Sequence, residues 1–174
     1  TRSMSLAGTN YSTTVGISSY VVLGLIGTKA TVASVSNTVA GIIRIKGASA
    51  TYKATVSGAI SNSNSSGYIY IYENAAINGT ISNKGKLYMY GGNTKAISNT
   101  DTGDVYMSGG TVTGSAYGIN NSSTSSSAVV ITGGIVRATG SSASTYGIYT
   151  SAGTVRIGTN SGTPSTSSPV IQST

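Results

Sequence analysis

The chain has 174 residues and a net charge of +7, although only 7% of its residues are charged. It contains no cysteine and no histidine, which excludes a disulfide scaffold and cysteine-ligated metals and removes the commonest general base. We therefore expect no metal and no cofactor. Disordered chains are poor in β-branched and aromatic residues, whereas 38% of this chain is hydrophobic and stands in alternating runs, which predicts a folded β protein.

The first forty residues lack the repeat found further along, and their most apolar stretch is the segment 20–27. That stretch is far shorter than the roughly 20 residues of a membrane helix, so no membrane span is expected. Because the open end of a β structure must be covered, residues 1–40 are predicted to form an N-terminal cap. The alternative is that they dock into a neighbouring subunit as a donated strand. The residues of this assembly segment are Tyr20, Val21, Val22, Leu23, Leu25 and Ile26.

From residue 41 to residue 174, pairs of apolar residues separated by one outward residue return every 18 to 26 positions. In a strand, residues two apart point to the same face, so each pair marks a short strand with one buried face. The six predicted inward pairs are Ile43/Ile45, Ile69/Ile71, Leu87/Met89, Val105/Met107, Val129/Ile131 and Val155/Ile157.

Two further motifs keep phase with these strands. A Gly-Gly-x-Val motif follows several strands, at Gly109–Val112, at 133–136 and more loosely at 73–77. A small residue and an isoleucine, usually followed by Ser-Asn or Asn-Asn, precede each strand: Ala59–Ile60, Thr80–Ile81, Ala96–Ile97, Gly118–Ile119, Gly147–Ile148 and Val170–Ile171. The glycine pairs and the asparagines are expected at tight corners that need positive φ.

Three short strands and three turns per unit describe one coil of a parallel β-helix, or β-solenoid. One coil is too small to bury its inward side chains, but coils stacked about 4.8 Å apart pair their backbones and align those side chains. We predict an all-β solenoid of about six coils over residues 41–174, with the non-repeat N-terminal cap and a right-handed sense from the crossover rule. The rival fold is an antiparallel sandwich or jelly roll, which gives no reason for three motifs to repeat in fixed order.

The stretches ISNKGKLYMYGG (81–92), YGINN (117–121) and VVITGGIV (129–136) resemble the degenerate repeats of bacterial cell-surface parallel β-helix proteins. The resemblance covers about residues 41–174 and implies the fold more than any activity. It also implies an extracellular or cell-surface location, which a thiol-free chain rich in serine and threonine supports.

The outward positions between and after the inward pairs carry tyrosines on three successive strands. Stacking in register places them in an aromatic ladder two residues wide, with Lys86 and Asp104 as cross-strand neighbours at its edge. Three interpretations remain open: cross-strand pairs that stabilise the sheet, an interface with another chain, or a flat surface that stacks on carbohydrate. The ladder residues are Tyr70, Tyr72, Tyr88, Tyr90 and Tyr106, together with Tyr68 at one edge.

Catalysis is the third choice, because the whole acid inventory is Glu73, Asp101 and Asp104. A glycosidase needs two opposed carboxylates, one with a raised pKa. The ten basic residues are scattered rather than clustered with aromatics, so no nucleic-acid partner is expected. The function we expect is therefore non-enzymatic: a self-assembling structural subunit of an extracellular filament or coat. The rival is an adhesin or carbohydrate-binding module that uses the tyrosine ladder, with glycan or cell wall as its partner.

Overall fold

A computed structural model of the chain describes residues 2–6, 10–17, 21–27, 31–158 and 169–173, with side chains from residue 31 onward. These residues form strands and turns and contain no helix. The strands are β1 (Arg2–Leu6), β2 (Asn10–Ile17), β3 (Val21–Gly27), β4 (Thr31–Asn37), β5 (Ile42–Gly47), β6 (Ala54–Val56), β7 (Ile60–Asn62), β8 (Tyr68–Ile71), β9 (Ala75–Ile77), β10 (Ile81–Asn83), β11 (Lys86–Met89), β12 (Asn93–Thr94), β13 (Ile97–Asn99), β14 (Asp104–Met107), β15 (Thr111–Gly114), β16 (Tyr117–Asn121), β17 (Val129–Ile131), β18 (Ile135–Ala138), β19 (Tyr146–Thr150), β20 (Val155–Ile157) and β21 (Val170–Ser173).

The strands form parallel sheets, with three strands per coil from β5 to β19, which confirms the predicted β-solenoid. The tyrosine sheet has eight strands in the order β1-β3-β5-β8-β11-β14-β17-β20. In the second sheet β4 pairs with both β6 and β7, so that the sheet branches into two columns. The Gly-Gly column continues from β6 through β9, β12, β15 and β18 to β21, and the Ile-Ser-Asn column continues from β7 through β10, β13 and β16 to β19. The right-handed sense stays a prediction.

The core is a set of aliphatic stacks that run along the solenoid. Every predicted inward residue from Ile43 to Ile131 is at most 1% exposed. Isoleucines of the Ile-Ser-Asn motif form a second stack, with Ile60, Ile81 and Ile97 in register and fully buried. Val155 and Ile157 keep the same register but belong to the last strand of the tyrosine sheet, and Ile157 is therefore 54% exposed.

A buried ladder of asparagines runs beside the aliphatic stacks. In each of its four steps the side-chain amide donates a hydrogen bond to the Oδ1 atom of the asparagine in the next coil, at 2.8–3.1 Å. The last amide donates to Thr150 Oγ1 at 3.0 Å. The first four amides also donate to a backbone carbonyl at the corner that follows, so the ladder ties these corners to the next coil. The amide of Asn121 donates instead to the carbonyl of Ala152 in the next coil. The five fully buried members are Asn37, Asn62, Asn83, Asn99 and Asn121.

The corner residues follow the sequence prediction only in part. Gly92, Gly110 and Gly134 have φ values of 73°, 86° and 89°, and Asn74 also has positive φ, as the Gly-Gly corner requires. The asparagines of the Ile-Ser-Asn motif were expected at corners with positive φ, and this was wrong. They lie at strand ends with ordinary φ because their amides are used in the buried ladder.

Over residues 41–174 the tyrosine sheet has six strands, as predicted: β5, β8, β11, β14, β17 and β20. The sheet extends further, because β1 and β3 pair in parallel beneath β5 although they lack the repeat motifs. One motif assignment was wrong. Residues Val170 and Ile171 were assigned to the small-Ile motif, but β21 pairs with β18 in the Gly-Gly column, with Ile171 opposite Val136. That the first forty residues act as a cap stays a prediction.

Candidate functional site

The outward face of the tyrosine sheet carries the aromatic ladder in the predicted register. β8, β11 and β14 pair so that Tyr70 lies opposite Tyr88 and Tyr88 opposite Tyr106. The two steps of 18 residues between these strands keep the ladder in register, since no loop insertion interrupts them. Five of the six ladder residues are half-buried by their neighbours, and Tyr90 is exposed.

The rings of the ladder cover one another across the strands. Tyr88 and Tyr106 have ring centroids 4.9 Å apart at an interplanar angle of 11°, and Tyr70 and Tyr88 have centroids 5.2 Å apart at the same angle. Tyr72 and Tyr90 form a parallel second file at 5.3 Å. Nearly parallel rings at this separation lie face over face with an offset, because two rings lying side by side in one plane would overlap at such a short centroid distance. The ladder therefore presents ring edges and hydroxyls to solvent rather than a flat stacking surface.

The two ends of the ladder differ. At the N-terminal end the guanidinium of Arg44 lies 5.6 Å from the ring centre of Tyr70, and the ammonium of Lys46 lies 5.7 Å from that of Tyr72. Both distances are within the range of a cation–π interaction. At the C-terminal end Val130 follows Tyr106 in the column, and Arg156 follows Val130. A notch of about 120 Å³ lies beside Val130, and its lining includes Tyr90 and Tyr106.

One edge of the ladder carries an ion pair that sequence reasoning placed correctly. Lys86 and Asp104 are register partners, and the lysine Nζ donates to Asp104 Oδ2 at 2.8 Å. The other oxygen of the nearly buried Asp104 accepts a hydrogen bond from Ser125 at 2.5 Å. Both carboxylate oxygens thus accept hydrogen bonds, so Asp104 is a structural partner at the edge of the ladder rather than a free carboxylate.

Burial and mutual proximity alter the ionisation of this face. Burial raises the pKa of Tyr70 and of Tyr88 above the ordinary tyrosine value, and neighbouring phenols of the ladder add to the rise. The hydrogen bond to Asp104 raises the pKa of Lys86. Tyr70 and Tyr88 are therefore neutral, and Lys86 is charged, at physiological pH.

The remaining acids do not form a carboxylate pair. Asp101 is exposed and pairs with Lys84 at 2.9 Å. Glu73 is exposed at a groove of about 530 Å³, whose lining includes Lys53 and the glycines of the Gly-Gly corner but no second acid. The groove follows from the missing side chains of Gly92, Gly110 and Gly134, which positive φ requires there. Over the described residues no group of three or more histidine, cysteine or acidic residues could hold a metal ion.

Sequence reasoning missed a second aromatic cluster near the C-terminal end. Tyr117 and Tyr146 are register partners on β16 and β19, with ring centroids 6.2 Å apart. Tyr149 lies 5.2 Å from Tyr117, and it is exposed together with Tyr146. The signal was present, because Tyr-Gly-Ile recurs at 117–119 and 146–148.

The assembly segment lies inside the tyrosine sheet. Residues Val21, Val22, Leu23, Leu25 and Ile26 belong to β3, whose backbone pairs with β1 on one edge and with β5 on the other. Tyr20 lies outside the described residues. A donated strand of this segment would have to leave both pairings, and contact of its side chains with another subunit stays a prediction.

Comparisons with protein-family models, curated proteins and solved structures each gave no match to this chain. The likeness to bacterial surface repeat proteins therefore rests on the repeat motifs and the solenoid fold. The described part of the chain has no helix long and apolar enough to cross a membrane.

Proposed function

We propose that the chain is a non-enzymatic structural module of an extracellular or cell-surface assembly, and that it associates end to end with further copies of itself. The observation that carries the proposal is the exposed apolar edge of the last described coil of the solenoid. There the strands β19, β20 and β21 each have one paired neighbour among the described strands, so one backbone edge of each lacks a strand partner.

The side chains at that end support a stacked partner. Ile157 continues the inward column of the tyrosine sheet, yet it is 54% exposed, whereas Ile131 in the preceding coil is fully buried. Val155 and Ile171 are partly buried at the same level. A further coil stacked on this end would bury these side chains as every earlier coil buries those beneath it.

The opposite end offers matching backbone geometry. β1 pairs with β3 alone among the described strands, and all strands of the tyrosine sheet run parallel. A second copy placed head to tail would continue the sheet in the same direction, with β1 of that copy beside β20. Such a contact joins two different surfaces, so it generates an open filament rather than a closed dimer.

The chemistry of the surface supports a structural role. The chain has three acids in all, and the two in contact with lysines serve as ion-pair partners. Neighbouring coils are joined by backbone pairing, aliphatic stacks and the asparagine ladder, which suits a structural unit. A charge-poor exterior rich in serine and threonine also agrees with an extracellular location.

The test is the molar mass of the purified chain by light scattering over a range of concentrations. The wild-type chain is expected to grow in mass with concentration, and Ile157→Lys is expected to remain a monomer with an unchanged circular dichroism spectrum. The matched control is Tyr52→Lys, which adds the same charge at an exposed aromatic residue away from the ends. A monomeric wild-type chain at every concentration contradicts the proposal, and so does equal loss of assembly in both variants.

A further inference from the structure

The last described coil of the solenoid is stepped, because its three columns do not end at the same level. That coil contributes β20 to the tyrosine sheet and β21 to the Gly-Gly column. The Ile-Ser-Asn column ends one coil earlier at β19, which pairs with β16 alone among the described strands. The place above β19, called the β19 step, is therefore one strand wide. Its side is formed by β21, since a Cβ on Gly147 would come within 2.8 Å of the Ile171 side chain.

The outer backbone edge of β19 carries the groups that bind the next strand elsewhere in the column. Ile60 donates its backbone N–H to the carbonyl of Thr80, and Ile81 donates its own to the carbonyl of Ala96. Each isoleucine of the motif thus uses its N–H on the following coil. The N–H of Ile148 has no strand above it among the described residues. A parallel strand in the β19 step would restore this pairing.

The side chains around the β19 step form an incompletely covered part of the core. Ile148, Val155 and Ile171 pack against the core but are only partly buried. The residues at the same three places one coil earlier are completely buried: Ile119, Val129 and Val136. An aliphatic side chain that points inward from the step would lie over Ile148 and beside the other two, so it would remove apolar surface from water on three sides.

We propose that the β19 step binds one extended, parallel strand of another polypeptide with the pattern small–Ile–polar–polar. The strands β7, β10, β13 and β16 each supply this pattern to the coil beneath them, at 59–62, 80–83, 96–99 and 118–121. In binding by strand addition, the backbone hydrogen bonds give affinity and the alternate side chains give specificity. In the register of the column, the bound isoleucine lies opposite Ile148 and the next residue lies opposite Tyr149.

The inference deepens the proposed end-to-end association and rests on it for its role in assembly. A second copy whose β1 continues the tyrosine sheet above β20 has its β2 in the same coil, one level above β21. β2 serves both columns of the second sheet, because it pairs with β4 from Asn10 to Ile17. It would therefore lie two levels above β19. A junction built from the described strands is one strand short, and the strand bound in the β19 step would complete it.

The test is fluorescence anisotropy of a labelled peptide with the sequence of Thr94–Asp101, TKAISNTD, titrated with the full chain. The chain is kept at concentrations where light scattering gives the mass of a monomer. Saturable binding is expected. Ile97→Asp in the peptide places a charge at the inward position and should raise the Kd at least about tenfold. The matched peptide Ser98→Asp adds the same charge at the adjacent outward position and should leave the Kd within about threefold. Both changes are in the peptide, so the fold of the chain is not at issue.

A disulfide tests the register, because the chain itself contains no cysteine. Tyr149→Cys in the chain changes an outward residue that is 41% exposed. Ser98→Cys in the peptide would lie opposite it, with the two Cα atoms about 4.8 Å apart, which a disulfide can span. The control peptide Ala96→Cys places its cysteine two residues away, at about 8 Å, and should not cross-link.

Three results would overturn the proposal: no saturable binding of the wild-type peptide, equal Kd values for the two aspartate peptides, or equal cross-linking of the two cysteine peptides. The outcome is separate from that of end-to-end association. A chain that binds the peptide but stays monomeric at every concentration has the strand site without the association. A chain that grows in mass with concentration but does not bind the peptide has the association without the strand site.

Discussion

The asparagine ladder should contribute more to stability than any surface feature of this chain, and Asn99→Ala tests it at the centre. The two N–H groups of the Asn99 amide serve three acceptors: Asn121 Oδ1 at 2.8 Å and the carbonyl oxygens of Gly103 and Ala128 at 2.8 and 3.0 Å. Its own Oδ1 accepts from Asn83 at 2.9 Å. All four interactions are buried and vanish in the alanine variant.

The magnitude follows from the groups left without a donor. A buried polar group that loses its partner costs about 1–3 kcal/mol. Asn121 Oδ1 and the carbonyl of Gly103 both lose the amide of Asn99, so the free energy of unfolding should fall by about 2–6 kcal/mol. The outward neighbour Ser98 is half-exposed, and Ser98→Ala should change it by no more than about 0.5 kcal/mol.

The assay is urea denaturation followed by far-ultraviolet circular dichroism. Asn99→Asp serves as a second variant, because it keeps the volume and the acceptor oxygens but removes the amide donors, and it should be at least as unstable as Asn99→Ala. An Asn99→Ala variant within about 1 kcal/mol of Ser98→Ala would refute the reasoning, since no buried group could then have lost a needed partner.

The remaining predictions concern a corner and the ionisation of the tyrosine face. Gly110→Ala should lower the free energy of unfolding, measured by urea titration, more than Gly158→Ala does. Both glycines have positive φ, but a Cβ at Gly110 would come 2.6 Å from a backbone oxygen, whereas a Cβ at Gly158 would meet open space. Equal losses in the two variants would contradict the steric argument. The raised pKa values of Tyr70, Tyr88 and Lys86 mean that their contribution to stability is complete below the ordinary pKa values and is lost as the pH rises through the raised ones. The urea midpoint should therefore fall as the pH rises above about 10, and the double variant Tyr70→Phe/Tyr88→Phe should lose less over that range; an identical fall in both proteins would count against it.

The repeated strands could be predicted because inward and outward residues alternate with a period of two and three motifs recur in order. That pattern fixed the register of Leu87 with Val105 and of Lys86 with Asp104, which the structure confirms. The strands β1 and β3 were missed, because their sequences carry no repeat motif. The parallel pairing of β1 with β3 and of β3 with β5 gives their place in the sheet.

The ladder of asparagines could not be separated from turn asparagines by sequence alone. The Ile-Ser-Asn motif was noticed, but Asn is common both at corners and in buried stacks, and only the register of Asn62, Asn83 and Asn99 shows that their amides meet. The mistaken place of Ile171 has a similar cause, since an inward aliphatic residue after a small one occurs in both columns of the second sheet.

The sequence predicts the order of residues along the outward column of the tyrosine sheet, but it does not predict which ring faces are covered. The outward order Tyr70, Tyr88, Tyr106, Val130 could be written from the sequence, and the structure confirms it. Which ring faces are covered depends on ring tilt and on the positions of the Arg44 and Lys46 side chains, and spacing alone carries neither.

Electron cryomicroscopy of the purified chain tests most directly whether the solenoid continues from one copy to the next. The eight described strands of the tyrosine sheet span seven spacings of about 4.8 Å, so the sheet is about 34 Å long along the solenoid axis. End-to-end association predicts unbranched filaments with a layer line at about 4.8 Å along their axis, and Ile157→Lys should yield none. Single particles whose sheet is no longer than about 34 Å at every concentration would contradict the account.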